Sequence, residues 1–424
     1  MFSKLFEKSY ILQNLDFVIF GAVIALLLGS LTVPSEAVGG GIFAIFVMTL
    51  LKILANREKI TITKTQWWLI VYFLIVFISL CGSSLFSLSL KGFIKTVLYI
   101  VFYFSVTNLF KTNIKYAIGT VFVIAAGVIL ESGISWLQNF SHVEMISGWQ
   151  DVSNLNPEQI MTRVYGTLKP YNPNLLGGYF VAGLPAVLGC GLILWVKKYY
   201  KLAVIFFIGT FLGTTALIYT GCRGAYLAFI AMLIAITGIG LKFFWANYKK
   251  ICTAIIGFGV TMVSALIIAS SSLRARIFSI FAMRSDSSNS FRFNVYQASW
   301  QMFKDNWLLG IGIGNKNFRE IYGLYMKTGF DALSAYNIYL ETAVESGIFA
   351  LITFLIYLGL QIYNSLKFIF TSKETVEVLL VITAFLSLVG LMAHGFVDTV
   401  FYRPQIQIIF WVMMAIITVA AERN

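Results

Sequence analysis

The sequence predicts an all-α polytopic membrane protein of about twelve transmembrane helices, with a large loop bearing amphipathic helices between spans nine and ten. Three observations predict it. Apolar residues make up 59% of the 424 positions and charged ones only 12%, a balance that no soluble domain of this length shows. The apolar residues come in runs of about 18–25, enough to cross a ~30 Å hydrocarbon core as helix. One stretch, residues 272–346, interrupts these runs with Arg, Lys and aromatic side chains, and is far longer than a helix-to-helix connection requires.

The spans are expected near 17–34, 38–55, 67–84, 92–110, 115–139, 174–196, 202–220, 223–245, 251–271, 347–369, 376–397 and 402–421. The first follows a short charged head without a small-residue cleavage site, and so reads as a retained span rather than a cleaved leader. Alternate connections are rich in cations: Lys52, Arg57, Lys59 and Lys64; Lys111 and Lys115; Lys197, Lys198 and Lys201; Lys242, Lys249 and Lys250; Lys367 and Lys373. The other short connections carry little beyond Lys91, Lys95, Arg223 and Arg403. The positive-inside rule then puts both termini in the cytoplasm and the 140–173 and 272–346 loops outside. Three regions follow: 1–271, the outer loop 272–346, and 347–424.

The formal charge of +13 belongs to cationic loops beside anionic lipid rather than to a nucleic-acid surface. The cysteines, Cys81, Cys190, Cys222 and Cys252, have neither metal-ligand nor disulfide spacing. The cytoplasmic lysines read as topogenic. The outer-side charges need another explanation. Arg223 opens span eight and Arg403 opens span twelve, while His394 and Asp398 share a helix face at the outer end of span eleven. Each is either glue between helices or part of a shared outward-facing site, because an ionisable group at membrane depth needs a partner or a cavity.

Within the large loop, Phe293, Tyr296, Trp300, Phe303 and Trp307 recur at a 3-4-3-4 spacing, one face of an amphipathic helix suited to a membrane interface. Ser288, Asn289 and Ser290 supply capping chemistry before it. Arg292, near that helix start, combines a guanidinium with free backbone N–H groups, which suits phosphate. Gly310, Gly312 and Gly314 follow no strand and read as a turn, not a nucleotide loop. A second amphipathic segment runs from Asn315 to Lys327. Glu341 and Glu345 lead into span ten, where an acid can serve the helix dipole. In the smaller loop, Arg163, Asn172, Pro173 and Asn174 either punctuate the start of span six or project into the same cavity.

Three stretches resemble the O-antigen ligase and O-antigen polymerase superfamily of membrane glycosyltransferases: Tyr165–Thr167 with Asn172–Asn174; Cys222-Arg223-Gly224-Ala225-Tyr226; and Arg292 through Leu309–Gly312 and Tyr336–Leu340 to Glu345-Ser346-Gly347. Residues 330–336 and 394–405 are similar to a cyanobacterial branch of that superfamily once proposed to transport inorganic carbon. The resemblance implies a GT-C-like helical plan and a donor glycan carried on undecaprenyl diphosphate. It also implies an acceptor hydroxyl on a glycan, a lipid such as a lipopolysaccharide core, or a protein. No cofactor, metal or nucleic acid is expected. Ligases carry a His where this chain has Tyr336, and a tyrosine near its usual pKa is a poor base at neutral pH. The departing diphosphate needs its charge neutralised, a role assigned to Arg223 and Arg292, with Arg403 and Arg163 as further candidates. His394 with Asp398, or Asp398 alone, is assigned to the base of an inverting displacement. Asn174, Tyr336, Asn337 and Glu345 are further candidate contacts. The rival readings are a transporter of a small anion such as bicarbonate and a non-catalytic partner in polysaccharide export. Against the first, the sequence has no internal repeat and no midplane charge cluster.

Overall fold

A computed structural model describes residues 13–56, 58, 60–141, 163–281 and 287–423. Among these residues the chain is helical and has no strand. Its helices are α1 Leu15–Gly29, α2 Ser35–Asn56, α3 Lys64–Cys81, α4 Phe86–Thr112, α5 Ile114–Phe140, α6 Pro173–Val196 and α7 Tyr200–Tyr219. They continue as α8 Arg223–Ala269, α9 Ser271–Phe278, α10 Ser287–Asp305, α11 Asn315–Tyr322, α12 Ile338–Thr371, α13 Thr375–His394 and α14 Pro404–Arg423. Ten of them are long and apolar enough to cross a membrane, which makes this a multi-pass membrane protein. They account for ten of the expected spans. The first expected span is α1, a shorter apolar helix. The ninth is the second part of α8.

Local chemistry explains the boundaries. Thr63 and Gln66 form a reciprocal capping box at the start of α3. Asn113 caps α5, and Asn172 caps α6 with Pro173 in the first turn. Between 241 and 256 there is no Gly or Pro, so the connection expected between spans eight and nine is no loop. The backbone stays helical apart from a kink at Tyr248. α12 begins at Ile338, within the stretch assigned to the loop, because Asn337 accepts hydrogen bonds from the Tyr339 and Leu340 N–H groups and starts the helix early.

α6 and α14 are enclosed by other helices. α6 packs against α5, α7 and α13, and α14 against α4, α12 and α13. Lys52 departs from its purely topogenic reading. Its side chain is buried, with Nζ 2.6 Å from Asp16 and 3.6 Å from Glu58, and it donates to Asn108 and Thr112. It ties α1, α2 and α4 together at one end of the bundle.

The glycine run 310–314 forms a clasp. The Ile311 and Gly312 N–H groups donate to the Val344 and Glu345 carbonyls, and Ile348 N–H donates back to Trp307. Ser79 Oγ, near the end of α3, and Ser83 Oγ, just after it, donate to Glu345 O and Ile311 O. Gly310 (φ 73°) and Gly347 (φ 79°) make this possible. A Cβ on either would meet the opposing backbone, Glu345 or Leu308, and both lie in the left-handed region that L side chains rarely adopt. The clasp pins the loop to α12 and breaks the helix at Gly347.

α10 buries Val295, Ala298, Ser299 and Met302 in a small second core with Phe318, Tyr322, Ala335 and Val344. Of the aromatic stripe, Phe293, Trp300 and Trp307 remain exposed. α11 is shorter than the segment expected from 315 to 327, ending at Tyr322.

Candidate active site

The residues singled out from the sequence come from four separate segments, and the fold brings most of them to one place. Asp398, in the turn after α13, accepts hydrogen bonds on Oδ1 from its neighbours' amides, Thr399 at 2.7 Å and Val400 at 3.3 Å. Its Oδ2 accepts from Asn174 Nδ2 at 3.3 Å and lies 3.6 Å from Arg292 Nη2. Asn174, in the first turn of α6, turns its own Oδ1 to Arg163 Nη2 at 2.5 Å. Arg163 Nε donates to the Thr220 carbonyl at the end of α7. A continuous polar file, Arg163–Asn174–Asp398–Arg292, therefore forms, its longest link joining residues 224 positions apart.

A second file adjoins it. Arg223, at the start of α8 and buried, donates to Ser279 O at 3.2 Å and Ser279 Oγ at 2.9 Å. Asn289 Nδ2, one turn before Arg292 on α10, donates to the same Ser279 carbonyl. Arg276 Nε donates to Gly221 O in the α7–α8 hairpin. Arg163 feels this crowding: burial first, and then the Arg276 charge, push its guanidinium down to about 10. It is still a cation at neutral pH.

Arg292 is held on three sides. Its Nη1 donates to Ser288 Oγ, Asp398 faces Nη2, and the Tyr336 ring lies 6.0 Å below. Its Nε is buried and has no hydrogen-bond partner among the described residues. An orphaned buried N–H costs roughly 1–3 kcal/mol, so it marks a place where an acceptor belongs. Tyr336 adopts φ 51°, packs edge-on against Phe291, and sits where burial and then Asp398 raise its hydroxyl above the ordinary tyrosine pKa. It supports Arg292 and is even less of a base than a free tyrosine.

The other candidates fall elsewhere. His394 is buried, and its Nε2 lies 3.6 Å from Cys222 Sγ. The contact of His394 with Asp398 runs through the backbone, from Asp398 N–H to His394 O. The expected pairing of imidazole with carboxylate is thus replaced by a thiol–imidazole pair. The reason is geometric: the helix ends at His394, so Asp398 lies in a turn and no longer on the same helix face. Asn337 is spent on capping α12 and on the Phe396 carbonyl. Glu345 Oε1 accepts from Gly314 N–H, and its side chain lines a separate cavity. Arg403 is exposed at the start of α14, close enough to Tyr336 to influence its ionisation.

The sequence reading missed Arg276 and Ser279. Arg274 and Arg276 at the head of the large loop were a visible signal, being cations on the side that the positive-inside trend leaves poor in charge.

No curated protein matches the chain. Residues 208–355, from α7 into α12, match the family described as O-antigen ligase. The match includes Arg223, Arg276, Arg292, Tyr336 and Glu345, whereas Arg163, Asn174 and Asp398 reach the same place from outside it. That match, over about a third of the chain, supports a relationship to the O-antigen ligase and polymerase superfamily and an activity of the membrane glycosyltransferase type.

Proposed function

We propose that this protein is an inverting glycosyltransferase that moves a glycan from undecaprenyl diphosphate to an acceptor hydroxyl at the outer face of a bacterial inner membrane, both termini being cytoplasmic. The observation that carries the reading is the buried Nε of Arg292, which has no partner among the described residues, within a file of guanidiniums. A planar guanidinium offers paired donors that match phosphate oxygens, and such preorganised charge stabilises a departing diphosphate. Arg292, Arg223 and Arg163 hold the headgroup, with Arg276 behind them and Arg403 at the rim.

Asp398 supplies the base. A diphosphate arriving at Arg292 competes for the guanidinium that Asp398 now faces and leaves the carboxylate free to accept a proton. The acceptor oxygen then bonds to the anomeric carbon as its proton passes to Asp398. The carbon–oxygen bond to the phosphate breaks, and its electron pair leaves with the lipid diphosphate. Asn174 holds Asp398 in place throughout.

The test is transfer by the purified protein in lipid nanodiscs, given an undecaprenyl-diphosphate oligosaccharide and a hydroxyl acceptor. Arg292→Ala and Arg223→Ala are expected to lower transfer by about 10²-fold or more, the scale set by removing one preorganised electrostatic contact. Wild-type rates in both variants, or bicarbonate uptake into proteoliposomes without glycan transfer, would overturn the reading.

A further inference from the structure

Beside the arginine files lies a cavity of about 120 Å³ that the mechanism above does not use. Glu341, Glu345, Tyr402, Gln407, Trp411 and Tyr99 define its chemistry, with Lys95 at its edge. A water needs roughly 10–15 Å³ of such space, so the chamber holds about ten non-hydrogen atoms, the size of one sugar ring.

Its lining is unusual for a cavity between membrane helices. Glu341 and Glu345, one turn apart on α12, are both buried. Each spends one oxygen on a backbone N–H, of Ala335 and Gly314 respectively, and neither makes an ion pair among the described residues. Gln407 is 5% exposed. Its Oε1 accepts from the Trp411 indole N–H at 2.7 Å, while its amide nitrogen has no acceptor among the described residues. Tyr402 spans Thr342 Oγ1 and the Ile338 carbonyl. The chamber thus presents carboxyl groups, an amide nitrogen and aromatic faces, held by helices and their end turns. A lipid tail would leave these polar groups unpaired at a cost of about 1–3 kcal/mol each. A polyhydroxylated ring satisfies them, its hydroxyls on the acids and amide and its C–H faces on the aromatic rings.

Its position suits the chemistry. The segment 398–402 gives Asp398 to the arginine file and Tyr402, with Phe401, to the cavity wall. Glu341 is near enough to Asp398 and Tyr336 to share their electrostatics. We propose that this chamber is the acceptor site, taking one saccharide unit between Glu341, Glu345 and Gln407 so that its neighbouring hydroxyl faces Asp398. This rests on the transferase reading, but its binding chemistry can be tested without transfer.

The experiment uses the full chain in nanodiscs and two separate probes. Saturation-transfer NMR with a panel of free hexoses, 6-deoxyhexoses and their disaccharides reports the chamber. Retention of an undecaprenyl-diphosphate oligosaccharide reports the arginine file. At least one free sugar is expected to receive saturation from the wild type. Gln407→Leu should weaken its binding about tenfold, and so should Glu345→Gln, while both keep the donor lipid. Arg292→Ala should do the reverse. Lys95→Ala, an exposed rim change that leaves the core untouched, should weaken the sugar by less than the buried variants. Absence of any sugar signal in wild type, or a signal unmoved by both Gln407→Leu and Glu345→Gln, overturns the chamber assignment. Sugar binding that follows these variants in a protein that retains no donor lipid upholds the chamber and overturns the donor reading instead.

Discussion

Asp398 is held from three directions: by the amides of Thr399 and Val400, by Asn174, and by Arg292. That much restraint on one carboxylate fits a group whose position matters more than its contribution to stability. Asp398→Asn keeps the shape and most of the hydrogen bonds but cannot take up a proton. It is expected to lower kcat by about 10²–10⁴-fold with donor retention unchanged, read in the same nanodisc assay. Tyr336→Phe keeps the ring under Arg292 and removes only a hydroxyl whose pKa burial and Asp398 raise. Transfer should stay within about threefold of wild type near neutral pH, with no change in the shape of the pH profile. A lost basic limb in that variant would restore Tyr336 as the base. Arg223, Arg292, Arg163, Asn174 and Asp398 were legible in the sequence because charge and amide stand out where the chain is otherwise apolar. The His394–Cys222 pairing was not, since it joins the end of α13 to the α7–α8 hairpin, 172 residues apart.

At the level of elements, helix ends and loop clasps do the positioning. α10 carries Ser288, Asn289 and Arg292 on one end, and its inner face is anchored through Val295, Ala298 and Met302 to the core that α11 and α12 complete. The clasp from 308 to 312 fixes α12 beside it. Gly347→Ala forces a side chain into the Leu308 carbonyl at a left-handed φ. It should destabilise the protein by about 1–3 kcal/mol or more, seen as a lower midpoint of thermal unfolding in detergent. Gly329, also at positive φ but with open space around it, is the control. Ala there meets only the conformational penalty, so its midpoint should fall less. Periodicity foretold α10 and an aromatic face suited to a membrane interface, but not the core that its other face would meet. The small residues Ala298 and Ser299, which allow close packing, turned inward, and Phe293, Trp300 and Trp307 were left at the surface.

Across the whole molecule, ten long apolar helices place α10, α11 and the arginine files together at one end of the bundle and the Lys52 network at the other. The cation asymmetry of the short connections carries the expected orientation of that bundle, which labelling tests. In a background lacking the four native cysteines, Leu324→Cys, exposed beyond α11, should react with a membrane-impermeant maleimide on intact cells. Lys373→Cys, between α12 and α13, should react only after the membrane is opened. The opposite pattern would invert the topology and move the proposed chemistry to the cytoplasm.

Composition and periodicity by themselves determined the membrane class, the rough limits of ten of the twelve expected spans and the expected orientation, because hydrophobic length and loop charge are local properties of the chain. They also exposed most of the ionisable groups that matter, since burying charge in an apolar chain is costly enough to be rare. Only the tertiary structure decided which of those groups meet. Arg163, Asn174, Arg292 and Asp398 converge through contacts between segments hundreds of residues apart. Glu341 and Glu345, adjacent in sequence to the motif that carries Tyr336, turn instead into a chamber of their own. Such encounters depend on how helices pack and where loops are pinned, and no periodicity along the chain encodes them.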